Sequence, residues 1–287
     1  MRASISVIIP VSYEPEDLSD LVWDVGEVLP GAEVIVVSYD STEGILSQQI
    51  VHQMPGVTHL RASGHGAAVK KGANAASGEI LLFMDGDDHH QPRQIPQLLG
   101  KLYKGYDMVV GTRTASGQFN AGRFAANTLF NKFATWMVGH PIPDLTSGFR
   151  IVWADKFREF TYLLPEGHSY STTITLSFFR AGYSVGYVDT ESNKPRGSRN
   201  AGLTGDMMRF IQTLYKIGTL YSPLKLFVPI SLLLFGLGVS YYAFTFLAYG
   251  RFTNMSVILM TVSIIIFLIG LISEQITVLT YSRQKND

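Results

Sequence analysis

The chain has 287 residues, enough for one sizeable globular domain and some membrane structure besides. Its 23 Lys+Arg balance 23 Asp+Glu, so no whole-chain charge draws it to nucleic acid, and the absence of cysteine excludes a disulfide framework, a Cys-rich zinc site and thiol chemistry.

In chain order, Met1 to Ser4 lead directly into Ile5-Ser6-Val7-Ile8-Ile9-Pro10, a short β-branched run that reads as a buried strand rather than a secretory signal. Strands are expected over Ser4–Pro10, Glu33–Ser38, Glu79–Met84 and Asp107–Gly111, with helices between them, including Pro15–Val28 and Gly66–Ala76. Such alternation predicts an α/β domain with a mostly parallel sheet, in which ligands gather beyond the carboxyl ends of the strands. The polar groups that follow Pro10, Val37, Met84 and Val110 would share that edge.

The sharpest local feature is Leu81-Leu82-Phe83-Met84-Asp85-Gly86-Asp87-Asp88-His89-His90, four apolar residues that end in acid and imidazole. A buried strand would deliver Asp85 and Asp87 to its carboxyl end, where alternate carboxylates can grip a divalent cation together with substrate phosphates. His89 could add a nitrogen ligand, which suits manganese better than calcium. A solvated acidic turn is the plain alternative. Glycines flank His65 in Gly64-His65-Gly66 ahead of a helix, an arrangement that permits close backbone approach to a nucleotide.

Toward the other end, Met207, Phe210, Ile211, Leu214 and Tyr215 recur at helical spacing, as in an amphipathic helix lying in a membrane surface. No charge interrupts Leu226–Gly250 or Phe252–Ser273, and each run exceeds the roughly 20 apolar residues that cross a bilayer. Arg251 alone separates them, so a hairpin is expected with both flanks on one side. Lys216, Lys225, Arg283 and Lys285 on those flanks put the N-terminal domain and both termini on the cytoplasmic face. The expected divisions are a catalytic domain over 1–202, an interfacial helix over 203–225 and a hairpin over 226–282, with spans at about 226–249 and 254–278. Gly236 and Gly238 could serve helix packing in a homo-oligomer but are too few to decide oligomeric state.

The Asp85–His90 stretch resembles the D-x-D motif of glycosyltransferase family 2, and more narrowly the D-A-D-x-Q-H-P-P form of its polyprenyl-phosphate group, with His89 at the Gln position and Pro92 at the last Pro. Ile8-Ile9-Pro10-Val11-Ser12-Tyr13-Glu14 resembles the family's opening I-P-x-Y-N-E. Val36 to Gly44 resembles V-V-D-D-G-S-T-D-G, with Ser38 and Tyr39 in place of the paired acids and Asp40 available instead. Gly64 to Gly72 is similar to the family's G-x-G-x-A-x-x-x-G. Asp144-Leu145-Thr146-Ser147-Gly148-Phe149-Arg150 closely resembles D-x-T-S-G-F-R, Gly111-Thr112-Arg113 resembles G-S-R, and Lys194 to Arg199 resembles a basic R-x-G-x-S-K segment. Gly167 to Leu176 resembles the G-x-S-x-x-T-T helix start of dolichol-phosphate-glucose-like members.

The resemblance implies a GT-A fold and transfer of a sugar, with inversion, from a nucleotide-sugar donor to a polyprenyl phosphate. It implies Asp85, Asp87 and His89 around Mg²⁺ or Mn²⁺, and Pro10, Glu14, Asp40, Gly64, Gly66 and Asp85 at the donor nucleotide. Asp144 would orient reacting groups with Arg150 held nearby, a structural Asp–Arg pair being the alternative. Arg113, Arg123, Lys194, Arg196, Ser198 and Arg199 would grip the acceptor phosphate. Two other functions stay open at this point. A lipid or glycan hydroxyl acceptor would need a base, for which Asp144 or Asp88 could be recruited. A non-catalytic sugar-nucleotide-binding subunit would explain the altered Ser38, Tyr39 and His89.

Overall fold

The computed structural model describes residues 3–12, 18–39, 56–86, 91–113, 121–167, 169–191, 218, 221–251 and 253–282; the side chains of 121–127 and 280–282 lie outside that description. Residues 1–135 with 140–203 form one compact unit, and residues 136–139 with 204–287 form another.

The first unit is built on a seven-stranded sheet: β1 (Ile5–Val11), β2 (Glu33–Tyr39), β3 (Val57–Ala62), β4 (Ile80–Phe83), β5 (Met108–Arg113), β6 (Arg150–Trp153) and β7 (Val185–Thr190). Its helices are α1 (Leu18–Val28), α2 (His65–Ala75), α3 (Ile95–Leu102), α4 (Ala121–Val138, whose last three residues count with the second unit), α5 (Ala154–Arg158) and α6 (Tyr170–Ala181). The sheet order is β3-β2-β1-β4-β6-β5-β7. All pairings are parallel except those of β6, which runs antiparallel to both β4 and β5.

Period-two alternation explains why the central strands are apolar throughout. Val7, Ile9, Leu82 and Ile151 join α1 and α3 side chains in one core. The opposite face is lined by Ile8, which meets α2 at Gly72, and by Phe83, whose ring lies 4.7 Å from that of Phe157. Gly72 is required there, since a Cβ would fall 2.5 Å from Ile8 Cγ2.

The order places the reversal of strand winding between β1 and β4, the place where open α/β sheets leave a crevice for ligands. The antiparallel β6 has a second effect: the chain enters it at the edge where β4 and β5 end. Arg150 pairs with Phe83 on one side and Val110 on the other. Following the β4 register two residues further sets Asp85 opposite Gly148, so residues 144–149 are delivered to the end of β4.

The sequence anticipated β1, β2, β4 and β5 to within two residues, but not β3 or β6. Helix α1 is described from Leu18, three residues after the expected Pro15.

In the second unit, α7 (Pro223–Tyr249) and α8 (Asn254–Ser282) form a hairpin of two helices long and apolar enough to cross a membrane. The first begins at Pro223, earlier than the expected 226. Proline suits the first turn, where its missing N–H leaves no bond unmade, so Lys225 lies inside the helix rather than before it. Ser231, Gly238 and Thr245 are buried in α7, and Ser256, Ser263 and Thr277 in α8. Each set keeps to multiples of seven residues, the period of a coiled-coil seam, with small side chains that let helices approach closely. Gly238 faces Leu259 and Met260, and Gly270 faces Phe227, so these glycines serve packing within the hairpin, whereas Gly236 has open space around it. Glu274 on α8 accepts from Leu224 N–H at 3.3 Å and from the Ser222 hydroxyl at 3.5 Å, satisfying a donor at the start of α7. The interfacial helix expected over 203–225 lies outside the described residues except for Gly218 and the residues from Tyr221 onward.

Candidate functional site

Asp85 leaves the carboxyl end of β4 with its side chain 28% exposed. Two elements hold its carboxylate. His65, the first residue of α2, brings Nε2 to 3.3 Å from Oδ1. On the other side stands Gly148, where a Cβ would lie 2.1 Å from Asp85 Oδ2. The glycine of the Asp144–Arg150 motif is thus explained by contact with the aspartate of the other motif.

Residues 144–149 are fixed by several independent bonds. Asp144 is buried, and its carboxylate accepts from Arg113 Nε at 2.9 Å and from a second Arg113 nitrogen at 3.1 Å. It also accepts from the backbone N–H groups of Thr146 and Ser147 and from the Thr146 hydroxyl, folding its own turn. Leu145 N–H donates to Asn131 on α4, Tyr170 Oη–H to Gly148 O, and Gly111 N–H to Phe149 O. Burial by itself would raise the Asp144 pKa, but the Arg113 charge and the hydrogen bonds from Arg113 and Thr146 outweigh it and leave the carboxyl below its ordinary value of 3.8.

Arg150 is turned away from the open edge. It is fully buried, donating to Ser147 O, to Ser171 O at 3.0 Å and to Thr175 Oγ1 at 3.1 Å, with its guanidinium 5.4 Å from the Tyr170 ring centre. Burial pushes its pKa down, and Tyr170, Tyr187, Asp85 and Asp144 act in the other direction. Arg150, expected beside the reacting groups, ties the 144–149 segment to α6. Asp144 takes Arg113 as its partner.

Gly64 and Gly66, expected at the donor nucleotide, lie close to the chain's own Pro165–Gly167 segment. A Cβ on Gly66 would lie 1.9 Å from Pro165 O, and one on Gly64 would lie 2.8 Å from Glu166 O. The Gly66 and Ala67 N–H groups at the start of α2 donate to Gly167 O and Glu166 O, which occupies donors that a phosphate would need.

Pro10 lies buried near the end of β1, and its carbonyl accepts from Gly86 N–H at 3.3 Å, so the Ile8–Glu14 and Asp85–His90 stretches meet beside Asp85. Ser38 and Tyr39, which replace paired acids, point to protein partners. The Ser38 hydroxyl lies 3.1 Å from His59 Nε2, and the Tyr39 ring lies 5.3 Å from the His65 ring. Glu14, Asp40, Asp87, His89, Lys194, Arg196, Ser198 and Arg199 lie outside the described residues, as does the side chain of Arg123 on α4.

A hard divalent cation fits what is described. Asp85 is a partly exposed, oriented carboxylate at a strand end, and the next residues in the chain supply further carboxylate and imidazole donors. Three residues that touch this site were not singled out from sequence: His65, Tyr170 and Gly148. Their only signal was membership of the quoted motifs, because the contacts that give them meaning join segments 20 to 105 residues apart.

The glycosyl transferase family 2 model matches residues 6–161, more than half of the chain, and the GtrB C-terminal hairpin model matches residues 222–279. The undecaprenyl-phosphate 4-deoxy-4-formamido-L-arabinose transferase of Aeromonas hydrophila is 26% identical over 95% of this chain and 88% of its own length. The polyprenol monophosphomannose synthase of Mycolicibacterium smegmatis is 25% identical over 62% of this chain and 73% of its own. The dolichol-phosphate mannosyltransferase of Pyrococcus furiosus is 32% identical, but the match spans only 34% of that protein. Among solved structures, glucosyl-3-phosphoglycerate synthase from Mycobacterium tuberculosis, in complex with Mn²⁺, uridine diphosphate and glucosyl-3-phosphoglycerate, superposes with a TM-score of 0.60 at 20% identity over 75% of this chain and 80% of that one, a likeness of fold. The chain thus belongs to glycosyl transferase family 2, a glycosyltransferase with a GT-A sheet and a GtrB-type C-terminal hairpin.

Proposed function

We propose that the chain transfers a sugar from a UDP- or GDP-sugar to a polyprenyl phosphate at the cytoplasmic face of a membrane. The observation that carries this reading is the join of a family 2 catalytic region to a GtrB-type hairpin, in a chain that aligns along nearly its whole length with an undecaprenyl-phosphate sugar transferase.

A lipid-phosphate oxygen forms a bond to the anomeric carbon as the bond from that carbon to the donor diphosphate breaks, inverting the configuration. A phosphate monoester has a second pKa of about 6 and is largely ionised near neutrality, so no strong base is needed. The work is positioning and charge management. Asp85, with Asp87 and His89, would hold Mg²⁺ or Mn²⁺, which offsets the charge that develops on the departing nucleoside diphosphate. Pro10, Glu14 and Asp40 would face the donor nucleotide. Arg113 presents its partly exposed guanidinium at the same strand edge, and Arg123, Lys194, Arg196, Ser198 and Arg199 would complete the acceptor-phosphate site. The geometry disfavours a hydroxyl acceptor served by Asp144, because a buried carboxylate paired with Arg113 and held below its ordinary pKa is a poor base.

The test is glycolipid formation in membranes that contain the protein. Labelled UDP-glucose, UDP-GlcNAc, UDP-galactose and GDP-mannose are supplied separately, with undecaprenyl or dolichyl phosphate and Mg²⁺ or Mn²⁺. The expected result is one donor giving a metal-dependent lipid-linked sugar that Asp85→Asn abolishes. Transfer to a lipid alcohol but not to the lipid phosphate would overturn the acceptor assignment. Nucleotide binding without turnover on any acceptor would favour a non-catalytic subunit.

A further inference from the structure

The Asp85 carboxylate has one described imidazole neighbour, His65, and that neighbour is itself tightly held. The His65 side chain is 13% exposed and sits between two tyrosines, with ring centres 5.3 Å from Tyr39 and 5.1 Å from Tyr170. Gly64 and Gly66 on either side of it are locked against the Pro165–Gly167 segment. An ionised carboxylate only accepts hydrogen bonds, so the 3.3 Å contact from Nε2 to Oδ1 requires the proton on Nε2. Gly148 stands on the other side of the carboxylate, and this N–H bears on how it is turned.

We propose that His65 is a positioning residue that orients Asp85 toward the divalent cation, and that Tyr39, standing where an acid is expected, buttresses His65. The inference rests on the metal-dependent reading given above. Groups that hydrogen-bond a metal ligand fix its orientation, and their loss typically weakens metal affinity by about 10–100-fold. On this account the change at Tyr39 exchanges an acid for an aromatic wall behind the imidazole. The substitution is then compatible with a working site.

The experiment is a Mn²⁺ titration followed by electron paramagnetic resonance, on the full-length protein in detergent, with UDP and with GDP. It compares wild type with Asp85→Asn, His65→Phe, which keeps a ring between the tyrosines without the donor, and His65→Gln, which keeps a donor. Asp85→Asn and His65→Phe are expected to weaken Mn²⁺ binding at least about tenfold, with His65→Gln within about threefold of wild type. Thermal unfolding of each variant separates loss of the site from loss of the fold. If the Phe variant does not accumulate, His65→Met, a flexible donor-free side chain, replaces it. Wild-type Mn²⁺ affinity in the donor-free variant overturns the proposal, as does a His65→Gln variant no better than it. Failure of the wild type to take up Mn²⁺ with either nucleotide removes the metal reading itself. Loss in Asp85→Asn alone removes only the role of His65.

Discussion

Arg113 and Asp144 form a two-bond ion pair, 2.9 and 3.1 Å, between the end of β5 and the segment that enters β6. One partner is almost wholly buried and the other partly exposed. Removing Arg113 strands a buried carboxylate, whereas removing Asp144 leaves a guanidinium that can reach water. Arg113→Ala is therefore expected to destabilise the protein by about 2 kcal/mol, less than a fully enclosed pair because Thr146 and Ser147 still donate. Arg113→Lys should recover part of this, and thermal unfolding in detergent measures both.

Asp144 also gives the stability a pH dependence. Its folded pKa lies below 3.8, as does that of Asp107, where burial is outweighed by Lys156 and Ser184, and Glu33 lies below 4.5 through its bonds to Ser6 and Ser77. For carboxyls lowered by folding, the contribution is complete above the unfolded pKa and disappears as pH falls through the folded one. Stability should therefore decline below about pH 4, and Asp144→Asn should flatten part of that limb in denaturation curves taken across pH.

Gly148→Ala places a methyl 2.1 Å from Asp85 Oδ2, so the carboxylate must rotate away. The expected outcome is a loss of turnover of about tenfold or more, with a raised requirement for divalent cation and little change in unfolding temperature. An alanine variant with wild-type metal dependence would show that the orientation of Asp85 is not limiting.

At Gly66 the obstacle is backbone. A Cβ would lie 1.9 Å from Pro165 O and 2.7 Å from Gly167 O, neither of which can swing aside like a side chain. Gly66→Ala should destabilise the catalytic unit by about 3 kcal/mol, the upper part of the overpacking range, and reduce its accumulation. Proteolysis and unfolding temperature read this out.

In the hairpin, Glu274→Leu should cost about 1 kcal/mol by leaving the Leu224 N–H at the start of α7 without this acceptor, while Glu274→Gln retains most of it. Unfolding of the detergent-solubilised protein distinguishes the two.

What the sequence disclosed follows from how local each signal is. Strands β1, β2 and β4 are buried runs, so composition alone revealed them. Strand β3 is half exposed, with His59 and Arg61 interrupting its apolar residues. Strand β6 is four residues long and follows directly on a segment that reads as a loop. Asp85 stood out as a carboxylate at the end of an apolar run, and Asp144 and Arg113 through the motifs they belong to. The bonds from Arg150 to α6 and the contact of Gly66 with Pro165 join residues far apart in the chain, so no local pattern announces them.

The antiparallel strand β6 makes the catalytic edge depend on a counting rule. Arg150 is paired with Phe83 and Val110 at once, so β6 is keyed into two neighbours and cannot shift relative to one without breaking with the other. Because side chains alternate between faces, a slip of a single residue would turn the Arg150 guanidinium from α6 to the opposite side and put Ser147 or Phe149 in front of Asp85. The segment between α4 and β6 should accordingly tolerate changes of side chain far better than changes of length. Insertions and deletions there would act as frameshifts of geometry, leaving every motif intact in the sequence and none of them aligned in space.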